Sequence, residues 1–165
     1  MKKSNVLVAA LVTVVCILAG IIIYWAPDHP YMNYYNKILN NEDFINDSTY
    51  LDIKAVEVND EDNSTYKIDI IIDNATQDLM NVKVVVVPND FDKLKTYSAI
   101  GLNKEKPFYL IPKENTLPTS TTINYIKGFS IGSEFETKPE YLIIYLEFNL
   151  EYPGEIIEEY IRINL

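Results

Sequence analysis

Between Asn5 and Trp25 the chain runs NVLVAALVTVVCILAGIIIYW, 21 residues without a charge. Coiled as a helix, that stretch is about 31 Å long, close to the hydrocarbon thickness of a bilayer. A segment of this kind has no place on the wetted surface of a small domain, so it divides the chain before anything else does. Lys2 and Lys3 precede it, and no Lys or Arg follows until Lys37. Basic residues stay on the cytoplasmic side, which predicts a cytoplasmic tail over 1–4, a transmembrane anchor over 5–25 and everything from 26 onward outside the cell membrane. Tyr24 and Trp25 fall where an aromatic belt meets the headgroups.

A cleaved signal peptide is the competing arrangement. Its apolar region spans roughly 7–15 residues and ends in small residues at an A-x-A-like site. Here the apolar run is longer, bulky Tyr24 stands two residues before the one plausible site at Ala26, and Pro27 would follow the cut. A lipid-modified Cys16 fits poorly too, because Val15 precedes it where Gly, Ala or Ser is required. The expectation is an uncleaved, single-pass signal anchor.

Lys2 and Lys3 aside, the sequence holds all 24 acidic residues against the other twelve of its 14 basic ones. So acidic an exterior repels polyanions, which excludes nucleic acid as a partner and argues against lying flat on anionic lipid. One Cys and one His cannot build a zinc or iron–sulfur site or an internal disulfide, and no cofactor is expected. Lys far outnumbers Arg, whose single copy is Arg162, and Asn and Ile abound, the usage of an AT-rich bacterial genome.

Residues 26–49 read as a juxtamembrane connector. Asp28 and Pro30 can start a short helix through Asn40 with Tyr31, Tyr35 and Ile38 on one side, and the polar NNEDFINDST follows. From Tyr50 to Leu165 the pattern is strand after strand. Leu51, Ile53 and Ala55 alternate with Asp52 and Lys54, and Ile68, Ile70 and Ile72 with Lys67, Asp69 and Ile71. NDEDNST between them has hairpin-loop composition. VKVVVV (82–87) suits a central, buried strand. Weaker segments near 94–100, 107–111 and 119–130 are punctuated by Pro88, Pro107, Pro112 and Pro118. About seven short strands at this spacing predict an all-β chain, an Ig-like antiparallel β-sandwich.

The terminal segment YLIIYLEFNLEYPGEIIEEYIRINL reads as a hairpin. With Pro153 and Gly154 as its loop, Leu142 faces Leu165, Ile144 faces Ile163, Leu146 faces Ile161 and Leu150 faces Ile157, all on one face. The other face pairs Tyr145 with Arg162 and Glu147 with Tyr160. Glu159 breaks the scheme by pointing inward opposite Phe148.

Residues 66–87, YKIDIIIDNATQDLMNVKVVVV, resemble the core of FxLYD-type and related Ig-like extracytoplasmic domains, with a strand, Asn among small polar residues, and a second strand in β-branched alternation. IPKENTLPTSTTINY (111–125) is similar to the proline-marked segment of those domains. The Phe-x-Leu-Tyr-Asp signature itself is absent. The resemblance implies an accessory or interaction module and brings no catalytic residues.

Candidate chemistry is thin. His29 sits at the expected membrane surface, far from any triad partner. Asp60, Glu61 and Asp62 resemble half of a calcium loop but lack its Gly and closing Glu. Glu147, Glu151, Glu155 and Glu158 read as a solvated outer face rather than a glycosidase pair. No enzyme is expected. Two features remain. Asn5, Ala9, Thr13, Cys16 and Gly20 fall on one face of the anchor, a candidate helix-packing stripe. Tyr141, Tyr145 and Tyr160 point outward on the terminal hairpin, a candidate surface contact. The leading expectation is a non-catalytic, membrane-anchored extracytoplasmic interaction module, an accessory component of an envelope complex. The alternative is a ligand- or ion-binding receptor whose site lies in loops 59–65 and 101–107.

Overall fold

A computed structural model describes residues 30–58, 65–90, 94, 98–102, 107–120, 122–151 and 153–165. The anchor, with Ala9, Thr13, Cys16 and Gly20, lies outside the described residues, as do His29 and most of the two candidate loops. Among the described residues no helix is long and apolar enough to cross a membrane.

Among the described residues the body is all-β, with one helix against it. Helix α1 (Pro30–Leu39) precedes nine strands: β1 (Asp52–Val58), β2 (Tyr66–Asp73), β3 (Met80–Pro88), β4 (Ser98–Ile100), β5 (Phe108–Leu110), β6 (Asn124–Ile126), β7 (Phe129–Phe135), β8 (Tyr141–Asn149) and β9 (Ile156–Asn164). Three strands form one sheet in the order β1-β2-β7, and four form a second in the order β4-β3-β8-β9, all antiparallel. β5 and β6 make a small parallel pair. The count exceeds the expected seven mainly through this pair, and β7 reaches five residues beyond the segment its sequence suggested, to Phe135.

The period-two pattern decides what is buried. Ile68, Ile70 and Ile72 of β2 meet Val82, Val84 and Val86 of β3 and Leu142, Ile144, Leu146 and Phe148 of β8 in one core between the sheets. As VKVVVV predicted, β3 is central, between β4 and β8. Two Asn residues take the left-handed conformation that a short amide side chain tolerates. Asn74 (φ 51°) turns the chain between β2 and β3, and Asn81 (φ 54°) sits at the irregularity where the β3–β8 register slips.

The terminal hairpin pairs Leu142 with Ile163, Ile144 with Ile161, Leu146 with Glu159 and Phe148 with Ile157. That corrects the proposed register by two residues. Pro-Gly favours a type II turn, whose twist suits a two-residue hairpin badly, and β8 ends at Asn149 while β9 begins only at Ile156. A two-residue slip keeps strand parity, so the apolar set stays on the inner face.

Helix α1 begins on Pro30, whose fixed φ and missing N–H suit a first helical position. Tyr31 and Ile38 are fully buried, and Tyr34 and Tyr35 are partly so, on the i, i+3, i+4, i+7 stripe expected of an amphipathic helix. They pack on the outer face of the four-stranded sheet, against Val85, Val87, Ile143 and Tyr145. Beyond the helix, Ile45 runs beside β9: its N–H donates to the Tyr160 carbonyl and its carbonyl accepts from Arg162, each at 2.9 Å. Residues 30–49 are thus packed onto the sheet.

Candidate functional site

The three candidate tyrosines share one face of β8 and β9, as alternation requires, but the structure corrects the exposure expected of them. Tyr145 is 0% exposed because α1 lies over it. Tyr141 and Tyr160 are half-buried. Arg162 stacks on Tyr141, its guanidinium carbon 3.8 Å from the ring centroid. Tyr145 packs against Tyr34 of the helix at 5.3 Å and Tyr160 of the neighbouring strand at 5.1 Å between ring centroids.

A continuous polar chain threads these rings. Lys83 of β3 is ion-paired with Glu147 of β8. The Tyr145 hydroxyl donates to Glu147 Oε2 at 2.7 Å, and Lys37 Nζ of α1 donates to the Tyr145 hydroxyl oxygen at 3.1 Å. Lys37 is also ion-paired with Glu158 of β9, and the Tyr160 hydroxyl donates to Glu158 Oε2 at 3.2 Å. The helix adds one more tie, from the Tyr31 hydroxyl to the Val86 carbonyl at 2.6 Å. Glu147 was expected on a solvated face; it is 9% exposed, because α1 and Lys83 close over it.

The ionisation states follow from this setting. Burial first, and then the hydrogen bond to Glu147, push the Tyr145 hydroxyl well above the ordinary tyrosine value. Burial and the neighbouring Glu158 carboxylate push Tyr160 up to about 12. At Glu147 burial opposes ionisation, but Lys83 and Tyr145 together outweigh it and hold the carboxyl below its usual range. Burial likewise opposes the Lys83 charge, and Glu147 and Tyr34 more than restore it. Tyr145 therefore stays protonated as a donor while Glu147 stays charged as its acceptor. The arrangement holds a helix on a sheet, with Lys37 and Glu158 at its wetted rim and Tyr145 and Glu147 buried beneath the helix.

Lys37, Lys83 and Tyr34 escaped the sequence reading. The signal for them was present: Val85, Val87 and Ile143 alternate apolar on the face opposite the main core, and the Tyr31–Ile38 stripe needed a surface to cover.

Exposed apolar side chains also stand away from the helix. On the three-stranded sheet, Val56 is 44% and Val58 41% exposed, next to exposed Ile71. Both valines lie on β1, which pairs only with β2, so its seven-residue outer edge is unpaired among the described residues. Gly132 on β7 leaves this face without a side chain opposite Asp69. A shallow hollow of about 250 Å³ opens there, bounded by Val58, Lys67, Asp69 and Glu134.

Among the described residues no group of three or more His, Cys, Asp or Glu is placed to hold a metal ion. No protein-family model matches the chain, and neither a curated protein nor a solved structure matches it.

Proposed function

We propose that the chain is a membrane-anchored, extracytoplasmic Ig-like interaction module, an accessory component of a bacterial envelope complex. The uncharged run over 5–25 behind Lys2 and Lys3 supports the anchor. Three strands facing four, in the orders β1-β2-β7 and β4-β3-β8-β9, support the Ig-like reading, because consecutive β2 and β3 lie in opposite sheets, as Greek-key connections require. The resemblance of residues 66–87 to FxLYD-type domains points the same way. One observation carries the interaction role: the open edge of β1, with Val56 and Val58 standing on it. Unpaired backbone N–H and C=O groups beside apolar side chains suit an added strand, so the partner's contact is an extended segment of a membrane protein.

The test is purification of the full chain from native membranes in mild detergent, beside a Val56→Lys/Val58→Lys variant. A stoichiometric membrane partner held by the native chain and lost from the folded variant supports the reading. A partner held equally by both removes β1 from the contact. No partner, together with thermal stabilisation by calcium or a small ligand, replaces the module with the receptor reading. Digestion of residues 26–165 by protease outside intact cells checks the orientation.

A further inference from the structure

We propose that α1 is a displaceable cover, a unit that lifts from the four-stranded sheet while the two-sheet core stays folded. Three observations carry this. First, the helix cannot stand alone. PYMNYYNKIL is 10 residues with three Tyr and two Asn and no acidic side chain in its first turn. Isolated helices below about 12–15 residues are marginal even with better formers, so α1 exists only while docked.

Second, its seat meets the main core only at Leu94, which packs against both clusters. The cluster between the sheets contains no residue of α1, and the cluster beneath the helix contains no residue of the three-stranded sheet. Lifting α1 therefore leaves the inter-sheet contacts intact.

Third, the seat is half polar. Besides Tyr31 and Ile38, the partly buried Tyr34 and Tyr35 and the Tyr31 hydroxyl bond to Val86, α1 is held by the Lys37–Glu158 pair, whose side chains are already partly in water, and by the Lys37 bond to Tyr145. Leu39 projects outward at 58% exposure. Once uncovered, Lys83, Glu147, Glu158 and the tyrosine hydroxyls regain water, which lowers the cost of opening relative to an apolar seat. What opening exposes is a face of Val85, Val87, Ile143 and Tyr145. Pro30 lies five residues beyond Trp25, so displacement or tension at the expected anchor reaches the cover first. Local opening well below the global unfolding free energy is the known behaviour of elements with few buried anchors.

Amide hydrogen exchange on the full chain in detergent tests this, using the native protein and Ile70→Val. Ile70 is fully buried in the inter-sheet core and belongs to the sheet that α1 does not touch. In the native protein the amides of Tyr34–Leu39 are expected to open far more often than those of Val84–Val86 and Ile143–Leu146. Removing one buried methylene from Ile70 should speed exchange in β3 and β8 by about 2- to 13-fold, and leave α1 exchange unchanged, because α1 lifts without crossing that core. Tyr31→Phe should do the converse locally and speed α1 opening. The proposal is overturned if α1 and β8 show equal protection in the native protein and equal acceleration in Ile70→Val, since both would then open only by global unfolding.

Discussion

Replacing Tyr145 separates the observed arrangement from the one strand alternation implies. Were Tyr145 an outward residue on a two-stranded ribbon, Tyr145→Ala would lose mainly cross-strand contact, about 0.2–1 kcal/mol. Beneath α1 the residue is fully buried, with rings of Tyr34 and Tyr160 on it and its hydroxyl between Lys37 and Glu147. Tyr145→Phe keeps the rings in contact and deletes the hydroxyl. Hydrogen bonds to charged groups contribute about 1.5–3 kcal/mol, and Glu147 keeps Lys83, so the lower end, about 1.5 kcal/mol, is expected. Tyr145→Ala also leaves a cavity, and truncation of a buried aromatic costs about 3–5 kcal/mol. That is comparable with the roughly 2–5 kcal/mol expected for Leu146→Ala on the opposite, inner face. Urea unfolding of the full chain in a non-denaturing detergent, followed by far-ultraviolet circular dichroism, reads all three from the midpoint and slope. A Tyr145→Ala variant within about 1 kcal/mol of the native chain, with Leu146→Ala strongly destabilised, would refute the covered face and restore the outward tyrosine.

Two glycines differ sharply in what a methyl would meet. Gly101 has φ +77° and its added Cβ would lie 2.0 Å from the Val82 carbonyl oxygen, so Gly101→Ala should lower stability by more than the roughly 1–2 kcal/mol of a left-handed alanine. Gly132→Ala meets only Asp69 Oδ1 at 3.3 Å and should be far milder in the same unfolding assay. Glu147 sets the acid side of the stability profile: its folded-state value is lowered, so its contribution is present above the ordinary carboxylate range and fades as pH falls through that lowered value. Glu147→Gln should therefore be less stable than the native chain at neutral pH and converge with it in acid; unchanged separation across the range would mean that the Lys83–Glu147 pair does not contribute.

The strands were the most legible part of the sequence, because a buried face writes its period directly. β1, β2, β3 and β8 all stand where alternation or β-branched runs placed them. β7 was harder: FSIGSEF spends its outward positions on Ser130, Gly132 and Glu134, and Ser133, though inward, is polar. That inward hydroxyl is satisfied by Ser98 Oγ at 2.8 Å, a bond from β7 to β4 across the sheets that no local pattern announces. The α1 stripe was legible as a stripe and illegible as a contact. Parity says which side chains share a face and is silent on what covers that face, which is why Tyr145 and Glu147 were placed correctly on the sheet and wrongly in water.

Glu159 shows how far a misfit residue can be followed. In the expected register it faces Phe148 and in the observed one Leu146, so either way a carboxylate points among apolar side chains. An ionised group there without partners would cost far more than one domain tolerates, so donors must come from another part of the chain. They come from the segment before β1: the Ser48 hydroxyl and the Thr49 N–H both donate to Glu159. That demand pins residues 45–49 along β9, where Ile45 takes up the Tyr160 carbonyl and the Arg162 N–H. The strap thereby covers part of an edge that would otherwise be open. On the other sheet nothing among the described residues does the same for β1, whose neighbours end with β2. A single acid on the inner face of β9 thus binds the connector into the fold and guards one edge, while β1 has no such strap among the described residues.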